Sequence, residues 1–148
     1  MQKSPKGWEH PHDYHQTLLF IGETTPTEQA AVEEKFDLIQ FHPFVLTPDK
    51  FLFFNRRIMF LSFKESPELT ELKNLIESRF PEWLRPESKP FIPHVTVKRW
   101  QRYEYEDLTS GLNRIHNIPP FWVNQVSLFK SLKDEENRKY HVIKTKRF

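Results

Sequence analysis

Two stretches of the sequence decide the expected fold: Tyr14–Gly22, which reads YHQTLLFIG, and Pro90–Arg99, which reads PFIPHVTVKR. Each contains a His-x-Thr tripeptide, His15-Gln16-Thr17 and His94-Val95-Thr96, among residues that favour β-strands. Because side chains alternate between the two faces of a strand, each histidine shares a face with the threonine two positions later. We therefore expect two strands that present His and Thr on one face and pack the other face against helices.

The residues around the tripeptides follow the same alternation. A regular strand places Lys98 on the face of His94 and Thr96, and it places Arg99 on the opposite face unless the strand ends there. In the first strand the same rule places Gln16 on the face that packs against helices.

The rest of the chain arranges similar elements around these two strands. Each half reads strand, helix, strand, strand, with one more helix between the halves, and such a repeat predicts a pseudo-twofold arrangement. We expect a single domain over 1–148, with the first motif in a lobe of about 8–66 and the second in a lobe of about 67–148. The predicted elements are strand Tyr14–Ile21, helix Pro26–Leu38 capped by Thr25, strands Phe41–Leu46 and Arg57–Phe63, helix Pro67–Phe80, strand His94–Arg99, helix Tyr105–Ile115, and strands Phe121–Phe129 and Tyr140–Thr145.

Two histidines and two threonines that meet in one cleft suit phosphodiester chemistry. A neutral imidazole can take a proton from an attacking water and an imidazolium can give one to the leaving oxygen, since histidine changes charge near neutral pH. Threonine hydroxyls can donate hydrogen bonds to the non-bridging phosphate oxygens as negative charge builds there. This scheme requires no metal and no cofactor.

The composition excludes several other classes of protein. The chain has no cysteine, which excludes disulfide scaffolds, thiol catalysis and Cys-based zinc sites. Its three glycines leave no room for a Gly-rich phosphate loop, and its net charge of +2 permits a phosphate-bearing ligand without requiring one. We find no apolar run of membrane-spanning length and no apolar signal segment, so we expect a soluble cytoplasmic protein.

Other candidate features have both a functional and a structural interpretation. The stretch His10–His15 (HPHDYH) is similar to a metallo-β-lactamase motif, but its Asp is one position early, so adventitious metal binding is the stronger interpretation. Basic clusters together with Phe53, Phe54 and Trp100 can contact an RNA strand, or they are ordinary surface and core positions. We expect no specific metal site.

The two motifs resemble those of a known family. HQTLLFIG resembles the pattern HxTLxFLG, with Ile21 in place of Leu, and PHVTVKR resembles PHxTxxR through Pro93, His94, Thr96 and Arg99. On these residues the chain is similar to the 2H phosphoesterases, specifically the LigT-like RNA 2′,3′-cyclic phosphodiesterases, also called 2′-5′ RNA ligases. The resemblance extends over nearly all of the chain from Trp8.

The resemblance implies a fold and an activity. The fold is α+β and bilobal, with two antiparallel sheets flanking a cleft and helices outside. The activity is metal-independent hydrolysis of an RNA terminal 2′,3′-cyclic phosphate to a 2′-phosphomonoester, with 2′-5′ ligation as its reverse. The resemblance also implies that His15 is the general acid and His94 the general base. It implies that the phosphate-binding residues are Thr17, Thr96 and Arg99.

The chain departs from the family at its start, and this keeps alternatives open. Only 14 residues precede His15, where family members carry another strand and helix, so we expect a sheet edge left open. The site can instead act on another 2′-5′ or cyclic nucleotide, or serve a non-catalytic nucleotide- or RNA-binding module. We expect RNA ends or nucleotides as partners, no membrane and no obligate protein partner.

Overall fold

The computed structural model describes residues 14–54, 58–84, 91–99, 118–133 and 138–148. In this part of the chain β2, β3 and β4 form one antiparallel sheet, β6 and β7 form an antiparallel hairpin, and β1 pairs with β5. Helices and antiparallel sheets together confirm the α+β class. The elements are α1 (Pro26–Asp37), β1 (Phe44–Leu46), β2 (Pro48–Phe54), β3 (Ile58–Phe63), α2 (Pro67–Arg79), a 3₁₀ turn (Pro81–Trp83), β4 (His94–Arg99), β5 (Phe121–Val123), β6 (Gln125–Lys133) and β7 (Arg138–Arg147).

The chain divides into two compact units, each built from three separate stretches. Unit 1 comprises Met1–Thr17, Leu46–Glu65 and Pro90–Phe121, and unit 2 comprises the stretches Leu18–Val45, Ser66–Lys89 and Trp122–Phe148. This division differs from the contiguous lobes predicted over 8–66 and 67–148. The physical reason is strand pairing, because β3 from the first half of the sequence pairs with β4 from the second half.

The centre of unit 1 is β3, which is buried on both faces. Met59, Phe60 and Leu61 are successive buried residues of this strand, and Met59 has no exposed surface at all. The buried hydroxyl of Ser62 accepts from the Lys50 N–H (3.2 Å) and donates to the Lys50 carbonyl (2.7 Å), where the register of β2 is irregular. The side chain thus satisfies backbone groups that the ladder does not pair.

The helices of unit 2 begin at the predicted residues Pro26 and Pro67, each directly after a capping side chain. At α1, Thr25 and Glu28 form a capping box in which each side chain accepts from the other residue's N–H at 3.2 Å, and Pro26 follows at the first helical position. At α2 the Ser66 hydroxyl accepts from the Leu69 N–H at 3.1 Å. The buried faces of the two helices carry Val32, Phe36, Leu69, Leu72 and Ile76.

Exposed ion pairs connect α1 to its neighbours in unit 2. Lys144 on β7 lies 2.8 Å from an Asp37 carboxylate oxygen, and a hydrogen bond with that carboxylate raises the pKa of Lys144. Lys35 lies 2.8 Å from Glu82 and 5.3 Å from the centre of the Trp83 ring. The hydrogen bond from Lys35 lowers the pKa of Glu82. Because these groups are solvated, the pairs contribute little to the free energy of folding.

Several predicted elements differ from the structure. The stretch Tyr14–Ile21 is irregular, with a bend at Leu18, because no neighbouring strand pairs along it among the described residues. The next residue, Gly22, has a positive φ of 89°. The strand β2 was not predicted from the sequence. The predicted strand Phe121–Phe129 is divided at Asn124 into β5 and the first part of β6. The predicted helix Tyr105–Ile115 lies outside the described residues. Neither of the two described helices has the length and apolar character needed to cross a bilayer.

Truncation of a core leucine tests the packing of unit 2. Leu72 is 1% exposed and Leu38 is 67% exposed, so the same substitution probes a buried and a solvated position. We expect Leu72→Ala to lower the free energy of unfolding by about 2–5 kcal/mol, because it removes buried methyl groups and leaves a cavity. We expect Leu38→Ala to change it by less than about 0.5 kcal/mol. Urea unfolding measures both, and equal losses would contradict the described core.

Candidate functional site

A β-bulge in β4 sets the faces of the second motif. Phe60 is opposite Thr96 and Met59 is opposite Lys98, so two residues of β3 span three residues of β4 and Val97 is the extra one. Such an insertion shifts the alternation of side chains by one residue beyond it. The prediction that Lys98 shares a face with Thr96 is therefore wrong.

The bulge brings Arg99 to the face of His94 and Thr96. Opposite residues of an antiparallel pair share a face, and Ser62, Phe60 and Ile58 alternate regularly along β3. Their respective partners His94, Thr96 and Arg99 therefore line one face of β4. Lys98 falls on the other face and is 2% exposed. The sequence places Arg99 on the opposite face unless the strand ends there; β4 does end at Arg99, and the bulge before it returns this residue to the His94 face.

The His94 ring has defined contacts on three sides. Its Nδ1 lies 2.7 Å from the carbonyl oxygen of Ile92. Its ring centre lies 5.6 Å from that of Phe54 and 5.5 Å from that of Phe60, in edge-to-face geometry. The two phenyl rings are themselves stacked at 4.1 Å. The half-buried imidazole is thus held at an aromatic surface by one hydrogen bond and two ring contacts.

The side chain of Gln16, which lies between His15 and Thr17, connects the first motif to the second. The Gln16 Oε1 accepts a hydrogen bond from the backbone N–H of His94, and its Nε2 donates to the Thr17 carbonyl at 2.6 Å. His15 is half-buried and Thr17 is exposed. The motif residues 15–17 and β4 both belong to unit 1, so one compact unit contains both tripeptides.

Sequence reasoning missed the groups that support His94. It assigned Gln16 to the packing face of a strand and weighed Phe54 as a core residue or a surface for a base. The structure instead gives Gln16 a backbone partner in the second motif and gives Phe54 the imidazole as a neighbour. One signal in the sequence could have drawn attention to Gln16. It is a polar residue in a series of alternate residues that is otherwise apolar, since Leu18 and Phe20 follow it.

The remaining candidates are only partly covered by the described residues. Phe53 is 46% exposed and falls on the β2 face opposite Phe54, while Trp100 lies outside the described residues. The histidines and aspartate of 10–13 lie outside them too. Within the described ranges no group of three or more His, Asp or Glu side chains is arranged to hold a metal ion.

Comparison with known proteins identifies relatives of similar sequence. The chain is 31% identical over 96 residues to an RNA 2′,3′-cyclic phosphodiesterase of Archaeoglobus fulgidus, covering 62% of this chain and 54% of that protein. It is 28% identical over 141 residues to an RNA 2′,3′-cyclic phosphodiesterase of Geobacillus stearothermophilus, covering 86% and 45%. The chain thus spans about half the length of these relatives.

Solved structures share the fold. The apo form of Escherichia coli LigT matches with a TM-score of 0.72 and 24% identity over 95% of this chain and 80% of that one. The protein TT0787 of Thermus thermophilus matches with a TM-score of 0.72 and 22% identity over 95% and 81%. These matches confirm the predicted LigT-like α+β fold. The family model for the 2′-5′ RNA ligase superfamily matches residues 5–135, and the chain belongs to this superfamily of LigT-like 2H phosphoesterases.

Proposed function

We propose that this protein is an enzyme that hydrolyses the 2′,3′-cyclic phosphate of an RNA end to a 2′-phosphomonoester, with paired histidines and no metal ion. The observation that carries the proposal is the hydrogen bond from the His94 N–H to Gln16, which links the two His-x-Thr segments within unit 1. The superfamily and the names of the two relatives support the substrate class.

His94 acts as the general base through Nε2. A carbonyl oxygen can only accept, so the Nδ1 atom that faces the Ile92 carbonyl carries the hydrogen of the neutral ring. The lone pair is then on Nε2, where it can take a proton from a water that attacks the phosphorus. The Ile92 bond and the two phenyl contacts hold the ring while the proton moves.

His15 acts as the general acid on the other side of the reaction. As water oxygen bonds to phosphorus, the bond from phosphorus to O3′ breaks and its electron pair goes to O3′. The His15 imidazolium gives O3′ a proton, which leaves a 3′-hydroxyl and a 2′-phosphate. A terminal 5′-hydroxyl in place of water gives the 2′-5′ ligation product, and the high concentration of water favours hydrolysis.

Hydroxyl and guanidinium groups bind the phosphate. Thr96 and Arg99 lie on the face of His94, and Thr17 is exposed next to His15. A threonine hydroxyl donates to a non-bridging oxygen, and a guanidinium can donate to two oxygens in parallel. These groups stabilise the negative charge that increases in the transition state. We propose a cytoplasmic location as well, because cells make and process RNA internally.

Hydrolysis in the presence of EDTA tests the proposal. The substrate is a short RNA that ends in a 2′,3′-cyclic phosphate, and the position of the phosphate in the product is determined. We expect wild-type protein to form the 2′-phosphate in EDTA and His15→Ala to lower kcat/KM by roughly 10²–10⁴-fold, since a general acid contributes about that factor. We expect a loss of about the same size for His94→Ala.

Two further variants control this experiment. His94→Asn keeps an N–H donor for the Ile92 carbonyl but cannot act as the base, so it separates the loss of the base from the loss of this hydrogen bond. His42→Ala removes an exposed histidine outside the motifs and should leave the rate unchanged. A 3′-phosphate product, or full activity in either motif variant, would contradict the mechanism. Tight nucleotide binding without turnover by the folded wild type would favour a binding module.

The location of the His94 hydrogen is a separate prediction. Because Nδ1 faces a carbonyl at 2.7 Å, we expect the neutral ring to carry its hydrogen on Nδ1 and not on Nε2. Long-range ¹H–¹⁵N correlation spectra of protein labelled at histidine distinguish the two nitrogens. A protonated Nε2 in the neutral ring would contradict the assignment of this atom as the base.

A further inference from the structure

The side chain of Gln16 uses both ends of its amide group. Its oxygen accepts from the His94 N–H, and its nitrogen donates to the Thr17 carbonyl at 2.6 Å. Since an N–H can only donate and a carbonyl can only accept, these two partners fix the orientation of the amide. One side chain therefore joins the backbone of its own motif to that of a residue 78 positions later.

The contact satisfies a donor at the edge of a sheet. Among the described strands β4 is an outer strand of the sheet β2-β3-β4, and outer strands carry backbone groups without a strand partner on one side. His94 is the first residue of β4, and its N–H is one of these groups. Gln16 supplies the acceptor for this N–H, and because a hydrogen bond is directional, the contact constrains the backbone of His94.

The contacts of His94 divide into two kinds. The Ile92 carbonyl and the rings of Phe54 and Phe60 hold the imidazole relative to its own sheet. The Gln16 contact instead relates the backbone of His94 to the segment that carries His15. A reaction that needs both histidines at one phosphodiester depends on this second kind of contact, because a displacement of about 1 Å can cost 100-fold in rate.

We propose that Gln16 is a positioning residue, which couples the placement of His94 to that of His15 and Thr17. This inference rests on the proposed function for its kinetic part. Gln16 does not touch the reacting atoms in this role. It acts by keeping the backbone of the general base in register with the segment of the general acid.

The variant Gln16→Met tests the coupling. Methionine has nearly the same length but no amide, so the His94 N–H loses its acceptor. We expect kcat for the cyclic phosphate to fall about tenfold or more while KM changes less than about threefold, because alignment is lost and phosphate contacts remain. We expect the His94 amide to exchange its hydrogen faster than in wild type. Gln40→Met makes the same change at an exposed position and should change neither quantity.

A second variant separates the two hydrogen bonds of the amide. Gln16→Glu keeps an oxygen for the His94 N–H but places a second oxygen against the Thr17 carbonyl and adds a negative charge. We expect the His94 amide to stay protected and kcat to stay closer to wild type than in Gln16→Met. We expect KM to rise, because the charge repels the anionic substrate.

A double-mutant cycle shows whether Gln16 acts through His94. In the His94→Asn background we expect Gln16→Met to lower the remaining rate by less than about twofold, since the base that it positions is gone. A full tenfold loss in that background would overturn the proposal and leave a general structural role. Wild-type amide exchange at His94 as fast as in Gln16→Met would overturn it too. If wild type forms no 2′-phosphate, the proposed function fails, and amide exchange alone decides whether the contact between the motifs exists.

Discussion

The arrangement of the candidate site depends on the burial of β3 on both faces. Met59 and Leu61 are buried on one face of this strand and Phe60 is buried on the other. A register shift by one residue would place each of these side chains on the opposite face, where it does not fit. The register of β4 against β3 is therefore strongly fixed, and the position of His94 opposite Ser62 is fixed with it. Packing in the core of unit 1 thus determines where the imidazole lies.

The irregularities of this sheet determine which side chains share a face. A strand with strict alternation cannot place a histidine, a threonine two residues on and an arginine five residues on along one face. The extra residue Val97 removes this conflict, and its own side chain is buried, so the insertion does not expose apolar surface. On the other side of β3, the Ser62 hydroxyl satisfies the irregular backbone at Lys50. Bulges of this kind redirect side chains without interrupting the core.

The sequence predicts best those features whose causes are local. The start of α1 at Pro26 follows from its cap and from the proline itself, and β4 has the predicted bounds because β-branched residues follow Pro93. Its internal bulge could not be predicted, since it is set by packing against β3. Gln16 could not be assigned either, because its partner lies 78 residues away and a half-buried amide carries no signal of its partner. The motifs thus identified the candidate reacting groups, whereas only the structure identifies the groups that hold them.

The site is assembled from distant parts of the chain, and this has a chemical consequence. Unit 1 draws residues 14–17, 46–65 and β4 together, while the intervening helices belong to unit 2. Neither half of the sequence contains the site, because β4 needs β3 from the first half and Gln16 needs His94 from the second. The entropic cost of closing such long loops is offset only when the whole unit folds. Both candidate acid–base groups therefore belong to one folded unit, and a reaction with two proton transfers at one phosphorus requires that such groups be held relative to each other.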